Sequence, residues 1–356
     1  MKKYGIVTTI YGNNFGEALQ GYAMRRSVMT YVSDVQAEMV NFIWHPQSVL
    51  VKPGFERYQE QLYKKNELFA EFRRKELGLI NPPVEHLTEE NEPGFDGYIF
   101  GSDQIWNTNA WKVPEFFGSF VPNGKPKIAY AASVGLKADS PLLDTELFEK
   151  YIDSFDSLSV REREHCDFIR RFTNKDVSYV ADPTMLLDTQ VYNELMTETG
   201  KRPDHDYIFY YQPHSADGAI VSVINRLSRR DNLDIVHTFA DIPKPVFSHE
   251  SISARFCGPR EFLYYIANAS MVITRSYHAA VFSILFHRPF YVYVDKKTGS
   301  RFESLLKTLG LEDRLVYDEL DLGRISYDID YDKVDNKLRI FRENSIDYLR
   351  KSIAGM

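Results

Sequence analysis

The segment Thr274-Arg275-Ser276-Tyr277-His278 places an arginine, a hydroxyl and an imidazole between two apolar runs. The first, Met271-Val272-Ile273, has the length of a buried strand, and the second, Ala279 to Phe286, that of a buried helix. A helix N-terminus offers free N–H groups and a partial positive charge, so this junction suits an anion. Arg275 would complete a receptor for phosphate or carboxylate. His278 could exchange a proton with a substrate, and a histidine that only packs or caps the helix start fits the position equally well.

Two further loops follow the same plan. Gly101-Ser102-Asp103-Gln104 follows the apolar run Gly97 to Phe100. Asp103 could serve as a base, orient a partner or hold a sugar hydroxyl, whereas Ser102 or Asp103 could equally be a helix N-cap. Near the N-terminus, Asn13-Asn14-Phe15-Gly16 precedes Leu19-Gln20. Gly16 would admit a close ligand or backbone and Asn14 could hydrogen-bond it, while a plain turn explains both residues too. The loop lacks the G-x-G-x-x-G fingerprint, so no dinucleotide is expected. Arg161, at the end of a strand, and Arg301 are further candidate anion clamps. Asp182-Pro183-Thr184 reads as a structural turn.

The elements that must position these residues alternate between strand and helix. Strands are predicted at Tyr4–Ile10, Gly97–Phe100, Lys127–Ser133, Ser157–Val160 and Val177–Val180. A second series covers Tyr207–Tyr211, Leu233–Phe239, Met271–Thr274 and Phe290–Val294. Helices are predicted at Glu17–Tyr31, Pro53–Leu77, Gly218–Arg230, Arg260–Ala269, His278–His287 and Lys333–Lys351. The 53–77 helix is charged and amphipathic, a face for the protein itself or for a membrane surface. The composition turns polar over 189–206, where a linker is expected. This pattern predicts an α/β protein with two Rossmann-like domains whose parallel sheets face a cleft. The expected division is 1–188 and 189–332, with a last helix in 333–356 packing back on the first domain. In such sheets ligands bind beyond the carboxyl ends of the strands, where all the polar loops above fall.

Bulk properties remove several function classes. With 43 basic and 50 acidic residues among 356, the net charge of -7 argues against a nucleic-acid binder. Cys166 and Cys257 stand in no C-x-x-C or Cys/His spacing, so reduced thiols, a cytoplasmic setting and no structural metal are expected. Aromatics reach 14 %, which suits a sugar-contacting cleft or an aromatic core. No segment is long and apolar enough to span a bilayer, and the N-terminal apolar stretch is too short for a signal peptide.

Taken in order, several segments resemble the polysaccharide pyruvyl transferase family. They are Asn14-Phe15-Gly16 with Leu19-Gln20-Gly21-Tyr22-Ala23, Gly101 to Asn107, Ile128 to Gly135, Ser159-Val160-Arg161-Glu162, Ala181 to Thr184, Ser276 to Ser283, and Ser300 to Leu306. The resemblance implies a fold similar to the GT-B glycosyltransferases. It also implies transfer of a pyruvyl group from phosphoenolpyruvate to two hydroxyls of a surface-polysaccharide sugar as a cyclic ketal, with phosphoenolpyruvate as co-substrate and no cofactor. The roles it implies are His278 and Asp103 in catalysis and Arg161, Arg275, Ser276 and Arg301 around the donor anion. The acceptor side would comprise Asn14, Gly16, Gln20, Ser102 and Gln104. The arginine of the family's Arg-x-His element falls at Ser276 here, with Arg275 one residue earlier. The acceptor would be a sugar, lipid-linked acceptors at the inner membrane face included. The rival readings are a nucleotide-sugar glycosyltransferase of the same architecture and a non-catalytic sugar-binding relative.

Overall fold

Strands of two to six residues pair in parallel in a computed structural model that describes residues 1–44, 58–79, 83–196, 203, 205–213, 217–239, 247, 251–294, 300–317 and 325–355. In the first half, β1 (Lys2–Val7), β2 (Val35–Met39), β3 (Gly97–Phe100) and β4 (Lys127–Ala129) pair in the order β2-β1-β3-β4. β5 (Leu158–Val160) pairs with β6 (Val177–Tyr179), and isolated bridges from Ile128 to Ser157 and from Ala132 to Val160 attach β5 beside β4. The second sheet contains β7 (Tyr207–Gln212), β8 (Asp234–Phe239), β9 (Ser251–Ser253), β10 (Met271–Thr274), β11 (Phe290–Tyr293) and β12 (Leu315–Val316), in the order β12-β11-β10-β7-β8-β9. Every pairing in both sheets is parallel, as the alternation of strand and helix requires.

The helices are α1 (Phe15–Tyr31), α2 (Gln59–Glu76), α3 (Glu146–Tyr151), α4 (His165–Ile169), α5 (Thr189–Leu195), α6 (Gly218–Asp231), α7 (Pro259–Ala267), α8 (Tyr277–Leu285), α9 (Ser300–Leu309) and α10 (Tyr331–Ala354). Several boundaries depart from the sequence expectation. β4 stops at Ala129 rather than Ser133, because Ala131 takes a left-handed φ of 50° that no strand continues through. No helix follows Gly101, so neither Ser102 nor Asp103 is an N-cap; the chain makes turns until a short 3-10 helix at Pro114–Phe117. The polar stretch 189–206 opens with α5, and its residues 197–202 and 204 lie outside the described residues, as do 53–57 of the long charged helix. β2, β9, β12 and α9 had no sequence expectation at all.

α1 joins the two halves. Its Phe15 ring stacks on Phe262 of α7 at 4.3 Å and meets Tyr211 of β7 edge-on at 5.5 Å. Burying one such ring is worth roughly 1.5–3 kcal/mol, and each aromatic pair adds about 0.5–1.5 kcal/mol. α2 lays Phe69 and Phe72 on this same core, so its apolar face is covered by the protein itself. α10 runs back over the first half: Tyr348 donates to the Ala129 carbonyl at 3.0 Å, and Ser345 Oγ accepts from Ala181 N–H at 2.8 Å. Arg350 donates to the Tyr31 carbonyl at 2.9 Å.

Candidate active site at the seam of the two sheets

Each sheet reverses its strand order once, between β1 and β3 in the first and between β7 and β10 in the second. Ligand crevices open at such reversals, beyond the carboxyl ends of the strands. The loops there are residues 8–14 and 101–104 on one side and 275–278 on the other. Helix α1 starts between them.

At the centre of this seam lies Arg161, which directly follows β5 and has a fully buried side chain. Its Nη1 donates to Asp182 Oδ2 at 2.9 Å, and its Nε faces Glu162 Oε1 at 3.4 Å. Nη2 lies 3.5 Å from Asp103 Oδ1 and has no hydrogen-bond acceptor. The Tyr277 ring covers the guanidinium at 4.3 Å. Burial alone would lower the proton affinity of Arg161, but the three carboxylates outweigh it and raise it further. Arg301, on the first turn of α9, lies in the same field. Its proton affinity is lowered by burial and by the Arg161 charge, and its Nε has no hydrogen-bond acceptor. Two cations thus converge with an N–H unsatisfied on each. An unsatisfied buried donor costs about 1–3 kcal/mol, which an incoming anion would recover.

Asp182 is the hub beneath them. Its Oδ2 also accepts from Ser102 Oγ at 3.0 Å, and Oδ1 accepts from the Thr184 N–H and hydroxyl at 3.0 and 2.6 Å. Burial would push this carboxyl up. His278, Arg161 and Thr184 overcome that and hold it well below the usual carboxylate range. Asp182-Pro183-Thr184 does form the expected turn, capping a 3-10 helix at Pro183–Met185, but the same carboxylate anchors the arginine. Glu162 accepts from Ser133 Oγ at 2.7 Å, and its Oε2 meets His165 Nδ1 at 3.1 Å. Despite burial, His165, Arg161 and Ser133 keep Glu162 down at about 2. The sequence marked Ser159 to Glu162 and Ala181 to Thr184 as segments but gave no anchoring role to Asp182 or to the Glu162–His165 pair; each acidic residue falls two or three positions beyond a short strand.

His278 projects from the first turn of α8, and its Nε2 stands 3.5 Å from Asp182 Oδ2. Ser276 is the N-cap of α8, its Oγ accepting from Ala279 N–H at 3.3 Å. The residue at the family's arginine position therefore starts the helix that carries the histidine. Gly16 closes the other side: a Cβ there would lie 2.2 Å from His278 Nδ1. Gly16→Ala is expected to push the imidazole aside, lowering turnover by about 100-fold for about 1–3 kcal/mol of stability. Turnover and thermal unfolding measured on the same preparation check this. Loss of fold without a separate loss of rate would contradict it.

The remaining candidates divide into those that hold the loops and those that border the cleft. Gln20 is fully buried; its Nε2 donates to Thr8 Oγ1 at 2.9 Å and its Oε1 accepts from Ser102 N–H at 3.3 Å, tying α1 to the β3 loop. Gly101 permits that loop, since at its φ of 120° a Cβ would lie 2.1 Å from the Tyr130 carbonyl oxygen. Asp103 itself takes a φ of 56°, and its carbonyl accepts from Ser133 N–H at 3.0 Å. Gln104 Oε1 accepts from Asn107 Nδ2 at 2.7 Å. Asn14 caps α1 by accepting from Gly16 N–H at 2.9 Å. Arg275 lies apart, on β11: its Nε donates to the Tyr293 carbonyl at 3.2 Å and its guanidinium lies 5.1 Å from the Tyr293 ring centre. Among the described residues no group of three His, Cys, Asp or Glu side chains could hold a metal ion, and no helix is long and apolar enough to cross a membrane. Cys166 and Cys257 are free and buried.

The sequence profile of the polysaccharide pyruvyl transferase family matches residues 14–296. The chain belongs to that family. This makes it a transferase of polysaccharide pyruvylation, and the matched stretch contains every residue of the cluster except Arg301. No curated protein matches the chain. Among solved structures, it is similar to a UDP-GlcNAc 2-epimerase from Methanocaldococcus jannaschii in complex with UDP-GlcNAc and UDP. There the TM-score is 0.53 at 12% identity, over 96% of this chain and 99% of that one. A putative UDP-N-acetylglucosamine 2-epimerase from Listeria monocytogenes gives a TM-score of 0.56 at 11% identity, over 99% and 90% of the two chains. These likenesses establish the fold, a GT-B-like pair of parallel sheets. Within the pyruvyl transferase the cluster is assembled from both halves, with Arg161, Asp182 and Asp103 from the first and Tyr277 and His278 from the second.

Proposed function

We propose that the protein transfers the pyruvyl carbons of phosphoenolpyruvate to two hydroxyls of one sugar unit, closing a cyclic ketal and releasing inorganic phosphate. The observation that carries this reading is the convergence of Arg161 and Arg301, each with an unsatisfied N–H, beside the N-terminus of α8. Phosphoenolpyruvate brings a phosphate and a carboxylate, which match two guanidiniums and a helix end. His278 gives a proton to the methylene carbon, and C2 becomes an oxocarbenium centre. The first sugar hydroxyl adds to C2 while Asp103 takes its proton. The C2–O bond to phosphate then breaks with its electron pair on oxygen, and the second hydroxyl adds to the re-formed cation. Two O–H bonds are lost; one proton ends on the new methyl group and one on the departing phosphate. Ser102 and Gln20 hold the Asp103 loop, and Asn14, Gly16 and Gln104 border the acceptor. No cofactor enters the chemistry as written. The acceptor in this reading is a polysaccharide precursor, lipid-linked at the inner face of the membrane.

Ligand-dependent thermal unfolding tests the donor, because a ligand that binds only the folded state raises its stability by mass action. Phosphoenolpyruvate is expected to raise the unfolding temperature, and phosphate release is expected once a sugar acceptor is added. Stabilisation by UDP-hexoses with none by phosphoenolpyruvate would replace this reading with nucleotide-sugar transfer.

A further inference from the structure

The reaction as proposed leaves two proton transfers of its second half without a residue: one to the departing phosphate and one from the second hydroxyl. Glu17 lies on the first turn of α1, next to Gly16, which faces the His278 ring, and one turn before Gln20, which reaches the Asp103 loop. Its carboxylate is held rather than free, with Oε2 accepting from Gly12 N–H at 3.1 Å. The charged and titratable groups facing it come from three elements. Asp103 from the β3 loop repels its negative charge, Arg73 from α2 attracts it, and Tyr211 from β7 lies within the field of both carboxylates. The seam therefore holds two acidic side chains on its acceptor side, in unlike surroundings. Asp103 pairs with Arg161, while Glu17 has only the more distant Arg73.

We propose that Glu17 is a catalytic residue of the second half-reaction, giving its proton to the departing phosphate oxygen and then taking the proton of the second acceptor hydroxyl as the ketal closes. This rests on the phosphoenolpyruvate reading above. The cycle balances: one proton passes to phosphate, one returns from the hydroxyl, and the carboxyl ends as it began. A group that must be acid and then base in one turnover works best when its proton affinity lies near the working pH. Burial first, and the Asp103 charge second, raise Glu17 to about 7, against the opposing pull of Gly12, Asn14 and Arg73.

The test uses the full chain with phosphoenolpyruvate and a panel of p-nitrophenyl hexopyranosides as acceptors. Glu17→Gln is expected to lower kcat at least ~100-fold with the KM for phosphoenolpyruvate little changed. It should also accumulate the sugar adduct that still carries phosphate, visible by mass spectrometry and phosphorus NMR. Wild-type kcat is expected to fall as pH rises through about 7, since the protonated carboxyl starts this half-reaction. Glu17→Gln should lose that limb, and Glu17→Asp should keep it at a lower rate. Stability provides a separate reading. A folded-state affinity raised above the unfolded value means that wild type loses stability as pH rises from the ordinary glutamate range to about 7. Glu17→Gln, lacking this loss, should unfold no earlier than wild type at pH 8. A Glu17→Gln enzyme with wild-type kcat and an intact alkaline limb would overturn the proposal while leaving phosphoenolpyruvate as donor. Absence of phosphate release by wild type with every acceptor would overturn both.

Discussion

Replacing Arg161 with methionine is expected to remove about 3–5 kcal/mol of stability, the cost of leaving a buried charge without its partner. The side chains of Arg161, Asp182 and Glu162 are all fully buried, so water cannot replace the lost cation. Asp182 and Glu162 would have to take up protons or admit solvent. Their carboxyls are held far below the usual range largely because Arg161 and the neighbouring histidines face them, and that stabilisation reverses when the arginine goes. Folded proteins typically hold about 5–15 kcal/mol in total, so the variant should be close to unfolding at ambient temperature. Arg161→Lys keeps the charge but not the planar fork that meets Asp182, Glu162 and Asp103 at once. It is expected to fold and to bind phosphoenolpyruvate far more weakly. Urea unfolding of both variants, with donor titration of the lysine one, checks this. Arg161→Met within about 0.5 kcal/mol of wild type would place the variant among ordinary surface changes and remove the buried cluster from the account.

His278→Gln should show the opposite division, with rate lost and fold kept. Glutamine can fill much of the space between Asp182 and Gly16, and α8 is otherwise secured by the Ser276 cap and a wholly buried apolar face. What it cannot do is give a proton to carbon. A positioned proton donor is worth about 100- to 10,000-fold in rate, so kcat should fall at least ~100-fold. The affinity for phosphoenolpyruvate should change little, and the unfolding temperature should fall less than in Arg161→Met, because Asp182 keeps Arg161, Ser102 and Thr184. Turnover near the wild-type value would assign the carbon protonation to another group. A parallel loss of stability and rate would mean that the imidazole acts through packing.

How far these residues were legible in sequence differs from one to the next. The β10–α8 junction was readable because both flanks carry local signals. The apolar run Met271-Val272-Ile273 makes a strand and the apolar run from Ala279 to Phe286 a buried helix, while the Ser276 cap that starts that helix is visible only in the structure. Arg161 was readable as a candidate anion clamp from its place at a strand end and from the family resemblance, but its position alone describes many surface arginines. Arg275, which the order of residues made the natural anion clamp, lies against Tyr293 on the neighbouring strand. Extended backbone sends successive side chains to opposite faces, so adjacent positions in a motif need not share a cleft. Glu17 entered the sequence reading only as the first residue of a predicted helix, and its nearness to Asp103 exists only in the fold.

The sequence by itself determined the alternation of strand and helix, hence two parallel sheets, and with them the loops beyond the strands' carboxyl ends where chemistry could occur. These follow from hydrophobic period and capping, which act over a few residues. Only the tertiary structure decided which polar side chains share a dry space. The Arg161–Asp182 bond joins positions 21 apart, and the Gln20–Ser102 bond joins positions 82 apart. Pairing energy and desolvation depend on distance through space and on the exclusion of water, and no local pattern encodes either. The segment 274–278 was marked by its own residues as an anion site, and the fold reassigned its parts: Ser276 caps, Arg275 turns away, and His278 joins Asp182 and Gly16 from the other half of the molecule.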